Sequence, residues 1–151
     1  MSKIIISDTS CLIILDKIGQ LDLLQQLFET VVITPEIQEE FGEVLPDWIT
    51  VQNVQNSFMT KVFSEQVDLG EASAIALALE HSEHLLIIDD NKGRKLAKSL
   101  ELNFTGTLGI LVKAKKEGII PLLKPILEQI EQTDFRISNK LKAIVLKQIS
   151  E

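Results

Sequence analysis

Cysteine is almost absent: Cys11 is the single one in 151 residues. That excludes an intramolecular disulfide and a zinc site built on cysteines, and it fits a reducing compartment. Within its apolar run Cys11 reads as core filler. Histidine is nearly as scarce, and His81 and His84, three apart around a helix end, read as exposed polar residues rather than metal ligands. Long apolar runs are missing too. Nothing approaches the ~18 consecutive apolar residues of a membrane span, and no basic segment followed by a long apolar stretch opens the chain. A soluble, cytoplasmic protein with no membrane part is expected. Positive charge is in deficit, with 15 basic against 22 acidic residues and a formal charge of -7. This argues against a protein that grips nucleic acid chiefly through a basic surface. No repeat or low-complexity segment breaks the chain. A composition 45% hydrophobic and 25% charged fits one compact domain over residues 1–151 with a substantial core.

What is present is an alternation of short β-branched runs and helical patterns. Ile4 to Ile6 reads as a strand, and the apolar pattern after Ser10 continues with helical spacing to Phe28, broken at Gly19. Val31 to Thr34 is a second buried strand. Thr34-Pro35 then sets a capping hydroxyl before a proline at the first helical position, which predicts a helix to about Glu43. Trp48 to Val51 reads as a third strand, whereas Phe58 to Val67 carries only scattered apolar residues and no clear period. Asp68-Leu69-Gly70-Glu71 has the form of a capping box opening a helix to Ser82. HLLIIDD is a buried strand ending in Asp89 and Asp90, followed by a basic helix with Lys92, Arg94, Lys95 and Lys98. Leu102 to Thr105 is the next strand, and helices follow at Gly106 to Glu117, Pro121 to Gln132 and Ser138 to Ile149. The C-terminal helices, about 121–151, are expected to pack on the same domain. Together these elements predict an α/β fold with a mainly parallel sheet.

In such sheets ligands bind outside the carboxyl ends of the strands, near the point where strand order reverses. Asp8, Asp89 and Asp90 all fall at carboxyl ends of the expected strands. Glu40 lies on the helix after the second strand, and Glu71 in the first turn of the helix before IIDD. Each acid has a plain structural reading. Asp8 fits a cap on the helix starting near Ser10, Glu71 fits a capping-box glutamate, Asp89 or Asp90 fits a cap on the basic helix, and Glu36, Glu39 and Glu40 fit a solvated face. Convergence would change that reading. Carboxylates about 5 Å apart repel by roughly 3 kcal/mol per pair at an effective dielectric near 20, and a divalent cation removes the cost. Oxygen ligands without histidine or cysteine suit magnesium or manganese better than zinc. Such ions orient and deprotonate a water for in-line attack on a phosphodiester, with Lys92, Arg94 and Lys95 placed to meet the substrate backbone. The company of the other acids favours ligation over capping for Asp8.

The ordered set IISDTSCLIIL, TPEIQEEF, DLGEASAIALA, LLIIDDNKGRKLA and FTGTLGILVKAKKEGII resembles the PIN domain family of metal-dependent ribonucleases, which includes the VapC-like toxins of toxin-antitoxin pairs. The resemblance runs over nearly the whole chain, and within the family it points to an uncharacterised prokaryotic PIN-like subgroup. It implies a three-layer fold with a central sheet of about five strands flanked by helices. It implies magnesium- or manganese-dependent endoribonuclease cleavage of single-stranded RNA, with Asp8, Glu40, Glu71 and Asp90 catalytic and holding metal. Asp89 belongs to the metal set as its neighbour, Ser10 would orient Asp8 or a metal water, and Lys92 and Arg94 would bind substrate. The family commonly has aspartate where Glu71 stands. An antitoxin partner is implied for a toxin, and apolar helices at 21 to 28 and 108 to 149 suggest a homodimer. The competing reading is an inactive PIN-like module that binds protein or RNA. Receiver domains fit less well because the paired acids follow a late strand, and haloacid-type phosphatases because Ser10 stands where they need an acid.

Overall fold

The structure, a computed structural model, describes residues 3–151. Strand β1 is Ile4–Ser7, followed by helices α1, Thr9–Lys17, and α2, Asp22–Phe28. Strand β2, Val31–Ile33, leads into α3, Pro35–Phe41, and β3, Ile49–Val51, into α4, Ser57–Phe63, and α5, Leu69–Leu79. Strand β4, His84–Ile87, is followed by α6, Asn91–Ser99, then β5, Phe104–Thr105, and α7, Thr107–Lys116. The chain continues through α8, Lys124–Glu131, and α9, Asn139–Gln148.

The five strands lie in the order β3-β2-β1-β4-β5, and every neighbouring pair is parallel. The α/β parallel sheet expected from the alternating pattern is therefore present, flanked by helices. Strand β1 is central: Ile6 pairs with Val32 on one side and Leu86 on the other. From β1 the chain steps outward to β2 and β3, then returns across β1 to lay down β4 and β5. Strand order thus reverses between β1 and β4, where the carboxyl ends of a parallel sheet open a crevice. Ile5, Ile6, Val31, Val32, Ile33, Leu86 and Ile87 are all buried, as strands covered on both faces require.

Helix α5 is the most enclosed. Every residue from Gly70 to Ala78 is buried, and the small side chains of GEASAIALA let α3, α4 and α6 approach it closely. One hydrophobic cluster extends from Ile5 to Ile149 and includes Leu123, Ile126, Leu127, Ile130 and Val145 of the C-terminal part.

Several bounds differ from the sequence pattern. Helix α3 stops at Phe41 because Gly42 takes a left-handed φ of 70° and ends the turn. Helix α8 begins at Lys124 rather than Pro121, with Pro125 in its first turn, a place that tolerates the missing N–H. The patternless stretch after Phe58 holds α4. It buries only Thr60 and Phe63, too few positions to print a period. Pairing of β4 ends at Ile87, so Asp89 and Asp90 lie beyond the strand rather than on it.

Candidate active site

Asp8 follows β1 directly and is 2% exposed. Its Oδ1 accepts the Cys11 amide at 2.9 Å, which makes it the N-cap of α1. Its Oδ2 accepts the Asp89 amide at 2.9 Å, so the same carboxylate bridges the crevice between β1 and β4. Capping and facing the crevice were set against each other by the sequence pattern, but Asp8 does both because a carboxylate has two oxygens. Burial pushes its pKa well up, the nearby Asp89 and Glu71 charges push further, and the two amides only partly offset this. Cys11 lies directly inside it, fully buried, its thiol held protonated by burial and by Asp8 and Asp89. It is core filler, as its apolar setting suggests.

The second pair of acids has divided roles. Asp89 receives the Thr107 amide on Oδ1 at 2.8 Å and the Thr107 hydroxyl on Oδ2 at 2.6 Å, tying the end of β4 to the start of α7. Asp90 caps α6, its Oδ2 accepting from the Lys92 and Gly93 amides at 3.0 and 3.4 Å. Among the described residues, Oδ1 of Asp90 has no hydrogen-bond partner, whereas both oxygens of Asp89 have one.

Glu71 is 9% exposed in the first turn of α5. Its backbone N–H donates to Asp68 Oδ1 at 3.0 Å, but its carboxylate does not return to the Asp68 amide, so the capping box is only half formed. The carboxylate instead turns toward the first turn of α6. There a Cβ on Gly93 would fall 2.6 Å from Ile88 Cδ1 and 3.3 Å from Glu71 Oε1, so the glycine leaves room for both side chains. Burial, then the charges of Asp68 and Asp90, raise its pKa from 4.5 to about 7. Asp68, Glu71, Asp90 and Lys92 border one open cavity of about 360 Å³.

Glu40 arrives from α3. The Thr9 hydroxyl donates to its Oε1, and the carboxylate rests where a Cβ on Gly70 would collide with it. Behind these groups runs a buried hydroxyl chain. Ser73 Oγ donates to Gly70 O at 2.7 Å, Thr34 Oγ1 donates to Ser73 Oγ at 2.7 Å, and Thr34 Oγ1 accepts the Ile37 amide at 3.2 Å. It fixes the start of α3 against the start of α5, and hence Glu40 beside Gly70.

Asp8, Glu71, Asp89 and Asp90 thus share the crevice, with Glu40 at its rim on exposed surface. Ser10 is exposed and turned away toward Ile13, Lys17 and Thr133, and the orientation of Asp8 is held by the Cys11 and Asp89 amides instead. Lys92 is exposed beside Glu71 and Asp90. Arg94 donates from Nη1 to Ile88 O at 3.2 Å and stacks over the Phe104 ring, 5.2 Å from its centroid. Asp68, expected only as the start of a capping box, also borders the crevice, and Thr9 and Thr107 were not among the expected site residues. Thr107, following Gly106 at a helix start, carried a signal as a capping hydroxyl, but nothing local linked it to Asp89.

Among the described residues, no three His, Cys, Asp or Glu side chains converge tightly enough to enclose an ion by themselves. The donor set still fits magnesium or manganese in kind. It offers only oxygens, it contains buried carboxylates that repel one another, and these ions take one or two carboxylates and complete their shell with waters and substrate phosphates. No helix among the described residues is long and apolar enough to cross a membrane. A family model described as a PIN domain, DUF3368, matches residues 4–151. Comparison with curated proteins and with solved structures gave no match.

Proposed function

Because the chain belongs to the PIN domain family, a family of nucleases that generally use divalent metal ions, we propose that it is a magnesium- or manganese-dependent endoribonuclease acting on single-stranded RNA in the cytoplasm. The observation that carries the reading is Asp8. A carboxylate buried at the strand-order reversal, facing Asp89 and Glu71, costs the fold when it is ionised, and a divalent cation in the crevice would offset that cost. Asp8, Glu40, Glu71 and Asp90, with Asp89 beside them, would hold the metal.

A bound divalent ion supplies the charge that lowers the pKa of a water and orients it for in-line attack on a phosphodiester. The protein residues do the rest. The Cys11 and Asp89 amides hold Asp8 in one rotamer, and Thr107 holds Asp89, so the acidic face is in place before substrate arrives. Lys92 and Arg94, on the helix that Asp90 caps, stand where a strand's backbone would pass. The toxin role, with a small antitoxin protein as partner, is the part of the proposal carried by family likeness. Pairing of two copies is suggested by Leu141 and Ile144 of α9, 42% and 53% exposed. Sedimentation at micromolar concentration showing only monomer would remove that pairing.

The direct test is cleavage of mixed single-stranded RNA and DNA with manganese, comparing wild type with Asp8→Asn. RNA is expected to be cut and DNA spared. The variant is expected to lose at least about 100-fold, since even an outer partner of a metal ligand is worth 10–100-fold. Equal cutting by both proteins would sink the assignment of this site. Absence of divalent binding by calorimetry, with substrate present, would favour a binding module that does not cut.

A further inference from the structure

The chain has two arginines, Arg94 and Arg136, 42 positions apart in sequence. Both border one cavity of about 550 Å³, whose lining also includes the carboxylates of Asp89 and Asp90. That volume is within the ~300–1,000 Å³ of ligand sites generally. In a protein of charge -7, bringing its only two guanidinium groups to one recess beside the acidic crevice is a concentration of the one cation that grips phosphate with a planar fork.

The recess is built from three parts of the chain. Arg94 is held by Ile88 O and by the Phe104 ring, so its charge is fixed in position. Phe135 and Arg136 come from the connection between α8 and α9. That connection is ordered by Thr133, whose hydroxyl donates to Ile130 O at 2.6 Å and accepts the Phe135 amide at 3.2 Å. Arg136 is exposed and forms no ion pair among the described residues. Phe135 is half-buried. The third part is the start of α7, where Gly106, Leu108 and Gly109 line the recess and the Thr107 amide is already taken by Asp89.

Resting on the ribonuclease reading, we propose that this recess is a subsite for the RNA strand next to the bond that is cut. Arg136, with Arg94, holds an internal backbone phosphate, and the Phe135 ring stacks against the neighbouring base. The acidic crevice repels a polyanion, and this subsite supplies the attraction that brings the strand to it. The contact is to backbone and to a base face, so it favours single strands without selecting a sequence.

The test is anisotropy of a short fluorescent single-stranded RNA bearing a 5′-hydroxyl, in EDTA so that nothing is cut, with melting curves confirming that each variant folds. Arg136→Ala is expected to weaken binding about tenfold and to reduce the slope of log affinity against log salt by about 0.7. Arg136→Lys should restore the slope but only part of the affinity, and Phe135→Leu should weaken binding with the slope unchanged. With manganese, Arg136→Ala should raise KM and leave kcat near wild type. Wild-type cleavage with unaltered binding and slope in Arg136→Ala overturns the subsite alone. Arg136-dependent binding without any cleavage overturns the nuclease reading alone. Dependence on Arg136 confined to RNA with a 5′-phosphate, or to an acidic peptide in place of RNA, also overturns the subsite.

Discussion

At the scale of single residues, the crevice is built against stability. Glu71 titrates at about 7 in the folded protein and near 4.5 when exposed. Between those values the folded state holds a proton that the unfolded state has released, so stability falls as pH rises from 4.5 through 7 and is lowest above it. The shift corresponds to a ceiling on the order of 3 kcal/mol. Asp8 adds a contribution of the same sign. Thermal melts without metal should therefore show a higher midpoint at pH 5.5 than at pH 8, and added manganese should raise the midpoint more at pH 8. Glu71→Gln should flatten most of this dependence, raise the midpoint at pH 8 and impair cleavage. A variant less stable than wild type at pH 8 would show that the Glu71 charge is not a burden on the fold.

At the scale of elements, the acids are placed by where helices start. Asp8, Asp68 and Asp90 cap α1, α5 and α6, so the residue that begins each helix also borders the crevice. That much was legible from strand-end acids followed by helical periods. What the local pattern could not carry is pairing over distance. Thr9 meets Glu40 across 31 positions and Thr107 meets Asp89 across 18, and a threonine at a helix start looks the same whether or not a carboxylate faces it. Ser10 stands two places after Asp8, yet the first turn of α1 turns it outward and gives the contact with an acid to Thr9. The approach of α3 to α5 was equally hidden, and it yields a test. Gly→Ala in a helix ordinarily stabilises by about 1 kcal/mol, but at Gly70 the new methyl meets the Glu40 carboxylate, the free end of a flexible side chain. Gly70→Ala should keep or slightly raise the urea midpoint while lowering metal-dependent cleavage, because Glu40 must swing away. Unchanged cleavage would show that Glu40 has no part in the reaction.

At the scale of the whole molecule, the C-terminal part is fastened by Glu151. Its carboxylate accepts the Leu123 and Lys124 amides at 2.7 and 3.0 Å, supplying the cap that α8 lacks, and lies 3.5 Å from Lys115 Nζ. Burial would raise its pKa, but the two amides and Lys115 outweigh that and hold it below 4.5. The stability it contributes is therefore present at neutral pH and lost as pH falls below that value. Glu151→Gln should lower the melting midpoint at pH 7 and have little effect at pH 3; an equal loss at both would assign the effect to packing rather than charge. The α/β alternation was readable because buried parallel strands print continuous apolar runs, whereas strand order was not, since the partners of β1 lie far along the chain. That central position of β1 also sets a schedule for synthesis. Asp8 is translated early, but the amide that completes its setting belongs to Asp89, 81 positions later. A nascent chain still short of β4 has its first acid and no crevice, so the acidic site comes into being only when β4 docks beside β1.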